Sequence, residues 1–161
     1  MMESANADIL IKQRKSLIQT FLDGAEPRFL EKYTAILDEY FFTVFEKSIS
    51  ARKITISGFP FALIALGGYG RKEQCIHSDI DLLILFEKKI PPEVEAFVQE
   101  LLYPLWDYGF EVGYAVRNIK ECIQMGFERF DILTTILDAR FICGASLLYT
   151  RFMEKFRSEL A

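Results

Sequence analysis

The stretch that most constrains this chain runs from Ala65 to Leu85, where one apolar run ends in Gly67-Gly68-Tyr69-Gly70 and a second opens on Ser78-Asp79-Ile80-Asp81. The runs Phe61 to Leu66 and Ile80 to Phe86 are short, rich in Leu, Ile and Phe, and bounded by Gly, Pro or Asp, which predicts two strands. Glycines at the end of the first strand let a backbone approach a ligand closely or take positive φ. A phosphate fits against the N–H groups of such a turn. A helical turn opened by Tyr69 to Cys75 would add a partial positive charge there, and Arg71 or Lys72 a full one.

Alternate residues of a strand share a face, so Asp79 and Asp81 project side by side while Ile80 and Leu82 pack on the other face. Two carboxylates so placed form a hard-oxygen site for one or two Mg²⁺ ions that also bind phosphate oxygens. The candidates are therefore Gly67, Gly68, Gly70, Arg71, Lys72 and Ser78 for the nucleotide, and Asp79 and Asp81 for metal and catalysis. Each half is weak by itself, because glycine clusters are ordinarily turns and acids at a strand start ordinarily keep an edge soluble. Their adjacency is what points to metal-assisted chemistry on a nucleoside triphosphate, UTP or ATP, since no base pocket is recognisable in the sequence.

Around this segment, apolar residues at helical spacing predict a helix over 7–22, and another from Arg28 to about Ile49 carrying Tyr33, Leu37, Phe41 and Val44 on one stripe. Together they make an N-terminal helical hairpin over residues 1–50. A polar break through Arg52 and Lys53 follows. Residues 51–161 then hold a core of three strands, the third over Phe110 to Val116, with a helix from Pro91 to Tyr108 before it. Trp106 falls in that helix and is expected in its buried stripe. Ile119 to Leu160 reads as two or three helices broken near Gly126 and Cys143-Gly144. The order predicts an α/β domain of α+β type, a short mixed sheet packed by helices in one compact unit.

A formal net charge of −4 leaves no basic footprint, which argues against nucleic acid as a partner. Cys75, Cys122 and Cys143 form no CxxC pair, so neither a disulfide framework nor a zinc site is expected. The N-terminal residues lack the basic and apolar regions of a signal peptide, and Phe59 to Leu66 falls well short of the roughly 20 residues of a membrane helix. These features lead us to expect a cytoplasmic protein with no membrane contact. His77 is the single histidine and reads as a turn residue, while Arg117 is expected to pair with a surface acid.

The run from Gly67-Gly68-Tyr69-Gly70-Arg71-Lys72-Glu73 to Ser78-Asp79-Ile80-Asp81-Leu82-Leu83 resembles the nucleotidyltransferase domain of the PII uridylyltransferase/uridylyl-removing enzyme family, within the DNA polymerase β-like superfamily. The likeness continues through Leu105-Trp106-Asp107 and Phe110 to Asn118, to a helix end over Asp138 to Gly144, and covers roughly Ala62 to Phe152. It implies a nucleotidyltransferase fold with Asp79 and Asp81 as Mg²⁺ ligands and Gly67 and Gly68 against the phosphates. It further implies UTP as donor and a tyrosine hydroxyl of a PII-type protein as acceptor. In that family an HD domain and ACT domains follow, so this chain is expected to be part of a longer protein.

Two features depart from that pattern. Glu73-Gln74 resembles instead related nucleotidyltransferases that accompany cyclic-nucleotide-binding or CBS domains, which opens the alternative of an inactive nucleotide-binding regulatory module. Tyr114 stands where the uridylyltransferases carry a histidine. Many superfamily members also bear a third carboxylate on a later strand, which helps activate the attacking hydroxyl. That position corresponds to Gly113 here, and Glu111, two residues earlier on the same face, is the catalytic candidate in its place.

Overall fold

β1 (Phe61–Leu66) and β2 (Ile80–Phe86) are apolar at nearly every position because both faces of their sheet are covered. Phe61, Leu63 and Ala65 of β1 and Ile80, Leu82, Ile84 and Phe86 of β2 pack with α1 (Met2–Leu22), α2 (Phe29–Lys47), α3 (Ile49–Ile56) and α5 (Val94–Asp107). Ala62, Ile64, Leu83 and Leu85 face the other way, onto α6 (Ile119–Glu128), α7 (Phe130–Leu137) and α8 (Ser146–Leu160). This arrangement comes from a computed structural model that describes residues 2–161, with side chains from Ser4 onward.

β3 (Val112–Asn118) and β4 (Arg140–Gly144) complete a four-stranded sheet in the order β3-β2-β1-β4. β1 runs antiparallel to both its neighbours, and β2 is parallel to β3, so the sheet is mixed as expected. The β2–β3 crossover carries α5, the helix that a parallel connection requires. α4 (Gly67–Gly70) is a single helical turn directly after β1.

Several elements differ from the sequence reading. Arg52 and Lys53 do not break the chain: they form the wet side of α3, whose buried side is only Ala51 and Ile54. β3 begins at Val112 and extends to Asn118, whose side chain caps α6 in a reciprocal capping box with Glu121. Arg140 to Gly144 is not a helix end but an edge strand paired to β1. The break read near Gly126 is present, at Arg129 between α6 and α7; Gly126 itself lies inside α6, where a Cβ would stand 3.1 Å from Ile136 Cδ1 and 3.5 Å from Phe156 Cε2, so this glycine permits close helix packing. Trp106 is 38% exposed and only partly core, with its indole Nε1 donating to Val112 O at 3.3 Å.

Candidate active site

The strand register sets the centre of the site. Asp81 pairs with Leu66 of β1 on one side and with Gly113 of β3 on the other. It has the parity of Leu83 and Leu85, so its side chain lies on the α6/α8 face, at the sheet end that those helices leave accessible. A Cβ at Gly113 would lie 3.2 Å from Asp81 Oδ1, and one at Gly67 would lie 3.5 Å from Oδ2. The carboxylate is thus cradled between two glycines, one from each neighbouring segment.

Asp79 and Glu111 lie one step before the first β2–β3 pair, Ile80 with Val112, and the Ile80 N–H donates to Glu111 O at 2.9 Å. Asp79 bears on both of the other acids. Burial, and secondarily the charge of Asp79, raise the Asp81 carboxyl above its ordinary range. A hydrogen bond to the Asp79 side chain, reinforced by its charge, raises Glu111. Crowded carboxylates of this kind are relieved either by a shared proton or by a cation.

Among the described residues, no group of three or more His, Cys, Asp or Glu is arranged as a ready-made metal cage. Mg²⁺ is commonly held by one or two carboxylates together with substrate phosphates. The half-buried Asp81, its raised pKa and the open glycine cradle around it fit such an ion.

On the β1 side, Gly67 adopts φ +56°, in the left-handed region that favours glycine, and turns the strand into α4. The first N–H groups of a helical turn have no carbonyl behind them within the helix, which leaves them as donors. Gly68 has only the Arg71 Nη2 atom and Glu73 O near its missing side chain, at 3.7 and 3.9 Å. Gly70 belongs to the other side of the turn: a Cβ there would stand 2.1 Å from Asp138 O, so packing against the α7–β4 corner demands glycine. Arg71 is half exposed and pairs with Asp138 at 2.6 Å and Glu73 at 3.1 Å. Lys72 is exposed with φ +61°, and Ser78 is exposed beside Asp79.

Sequence reasoning missed what holds this turn from behind. Arg140 of β4 donates to Asp38 of α2 through Nη1 at 2.7 Å and Nη2 at 3.1 Å. Its Nη2 and Nε also reach Tyr69 O and Gly70 O, at 3.1 and 3.3 Å. The buried Tyr69 hydroxyl donates to Asp38 Oδ1 at 2.5 Å, and burial followed by the Asp38 charge pushes that phenol's pKa well up. The turn's carbonyls are therefore engaged at the back.

On the β3 side, a cavity of about 210 Å³ adjoins the acids, lined by Arg14, His77, Ser78, Phe110 and Glu111 among others. Arg14 of α1 donates to Ile76 O at 3.3 Å and lies over the Phe110 ring. The only sequence signal for these helpers was polar residues, Arg14 and Asp38, set beside otherwise apolar helical stripes.

The chain is 44% identical over 103 residues to the bifunctional uridylyltransferase/uridylyl-removing enzyme of Caulobacter vibrioides, which covers 64% of this chain and 11% of that protein. The enzyme of the same name from Azospirillum brasilense is 43% identical over 104 residues, covering 65% and 11%. That from Cereibacter sphaeroides is 40% identical over 99 residues, covering 62% and 11%. The chain thus spans about a tenth of the length of these relatives. Residues 12–116, a span that includes the glycine turn, Asp79, Asp81 and Glu111, match the family described as "Putative nucleotidyltransferase DUF294". Since that match covers more than half of the chain, the protein belongs to the DUF294 nucleotidyltransferase family.

Proposed function

We propose that this domain catalyses Mg²⁺-dependent transfer of a nucleoside monophosphate, UMP from UTP, to an acceptor hydroxyl, the acceptor being a tyrosine of a PII-type regulatory protein. The observation that carries the reading is the Asp81 carboxylate cradled between Gly67 and Gly113, with Asp79 close enough to raise its pKa. The names of the uridylyltransferase relatives support the choice of nucleotide.

Asp79 and Asp81 would hold the metal, and the N–H groups of Gly67 and Gly68 would donate to the triphosphate. Arg71, Lys72 and Ser78, all exposed beside the turn or the acids in sequence, would meet the remaining phosphate charge. Bound Mg²⁺ would neutralise the triphosphate and lower the pKa of the acceptor hydroxyl. Glu111 would take the acceptor proton as the new O–P bond forms and the bond to pyrophosphate breaks. The order across the sheet supports in-line displacement: the glycine turn follows β1, Asp81 lies on β2 with Asp79 just before it, and Glu111 precedes β3. Phosphates and acceptor are then kept on opposite sides of the metal ligands.

One observation favours a second reading. Glycine, not an acid, stands at position 113 opposite Asp81, and a domain without an effective third carboxylate would bind nucleotide as a regulatory module without transferring it. Incubation with α-labelled UTP, Mg²⁺ and a PII-type protein separates the two. The transferase labels the acceptor and its Asp79→Asn variant does not; binding of UTP with no label transferred selects the regulatory module.

A further inference from the structure

We infer that Gln74 is a positioning residue that fixes Asp79 by holding the backbone of the acid-bearing loop, an inference that rests on the nucleotidyltransferase reading. Gln74 is 1% exposed, in a segment between α4 and β2 that has no regular secondary structure. Its Nε2 donates to Ser78 O at 2.8 Å, to Cys75 O at 3.2 Å and to Asp79 O at 3.3 Å. Two amide protons are thus shared among three carbonyls, the shortest bond being to the residue before Asp79.

Backbone bonds alone hold this loop sparsely, through Glu73 N to Gly68 O at 2.8 Å and Ser78 N to Cys75 O at 3.2 Å. Beyond the Ser78 N–H that already reaches Cys75 O, the buried amide gives the Cys75, Ser78 and Asp79 carbonyls one shared donor. The amide supplies the donor without a charge, whereas a glutamate there would face three carbonyl dipoles beside Asp79 and Asp81. The opposite end of the same amide accepts nothing: Gln74 Oε1 is buried without a partner among the described residues. Arg14 ties Ile76 O of the same loop from α1, a second side-chain hold on it.

The test is a Mn²⁺ titration followed by electron paramagnetic resonance, with UTP present, on the chain and on its Gln74→Met and Gln74→Asn variants. Circular dichroism on each confirms the fold. Gln74→Met keeps the length and removes the donors, and is expected to weaken Mn²⁺ binding by roughly 10- to 100-fold, the usual effect of removing support from a metal ligand. The UTP affinity at saturating Mn²⁺ should change by no more than about twofold, a split that general unfolding would not produce. Gln74→Asn keeps the donors but draws them back, and should lie between the two; it carries the test if Gln74→Met does not fold. Folded variants that bind Mn²⁺ within about twofold of the unaltered chain overturn the inference alone. Failure of the unaltered chain to bind Mn²⁺ with UTP overturns the nucleotidyltransferase reading, and this inference with it.

Discussion

At the scale of single residues, the site is a cluster of carboxylates whose charges are unfavourable until something offsets them. Asp81 and Glu111 both have raised pKa values in the folded chain, against ordinary values of 3.8 and 4.5. The folded state therefore binds their protons more tightly than the unfolded state does, so the stability they contribute is complete below the ordinary values and is lost as pH rises through the raised ones. Without divalent cation, the melting temperature should decline over that acidic window, and Asp81→Asn should flatten the decline and melt higher at neutral pH. Mg²⁺ should restore stability to the unaltered chain increasingly over the same window, since it binds the ionised acids; thermal melts with and without Mg²⁺ across the acidic to neutral range check both signs. Asp79→Asn or Asp81→Asn should lower label transfer by at least about a hundredfold, comparable to removal of a strong electrostatic group from an active site. Gly113→Ala should disturb the same carboxylate from the side, because its Cβ would stand 3.2 Å from Asp81 Oδ1. A loss of roughly tenfold in metal affinity, read by Mn²⁺ titration, is expected from that displacement.

At the scale of elements, the glycine turn is only as well placed as the strand and helix behind it. The Arg140 and Asp38 side chains are 19% and 30% exposed, so Arg140→Ala leaves Asp38 and the Tyr69 and Gly70 carbonyls without their main donor. A loss of about 2–3 kcal/mol is expected by chemical denaturation, less than for a fully buried pair. Gly70→Ala drives a methyl into the Asp138 carbonyl and should cost about 1–3 kcal/mol or more. The sequence made β1 and β2 legible because strands covered on both faces are apolar throughout, and it made Asp79 and Asp81 legible because they open such a strand. β4 was hidden because an edge strand of five residues headed by arginine carries no such run. α3 was hidden because so short a helix buries only Ala51 and Ile54, leaving Arg52 and Lys53 to look like a loop. The Asp38–Arg140 pair could not be read at all, since its partners lie 102 residues apart.

At the scale of the whole molecule, the N-terminal helices are part of the site's frame. Leu10, Tyr33, Leu37 and Phe41 share one core with Leu63, Ala65, Ile80 and Leu82, and Asp38 and Arg14 reach from those helices to the glycine turn and the acid loop. Residues 51–161 alone would expose that core face and strand Arg140, so this fragment should lose the cooperative melt and near-ultraviolet dichroism of the full chain. The central claim concerns how the frame presents its two aspartates and its glycine turn, as one receptor for metal and triphosphate. Calorimetric titration of UTP into the chain, with and without Mg²⁺, and into the Asp81→Asn variant, tests it most directly. The account predicts saturable binding of UTP that requires Mg²⁺ and disappears in the variant; equal binding by the chain and the variant, or binding indifferent to Mg²⁺, would contradict it.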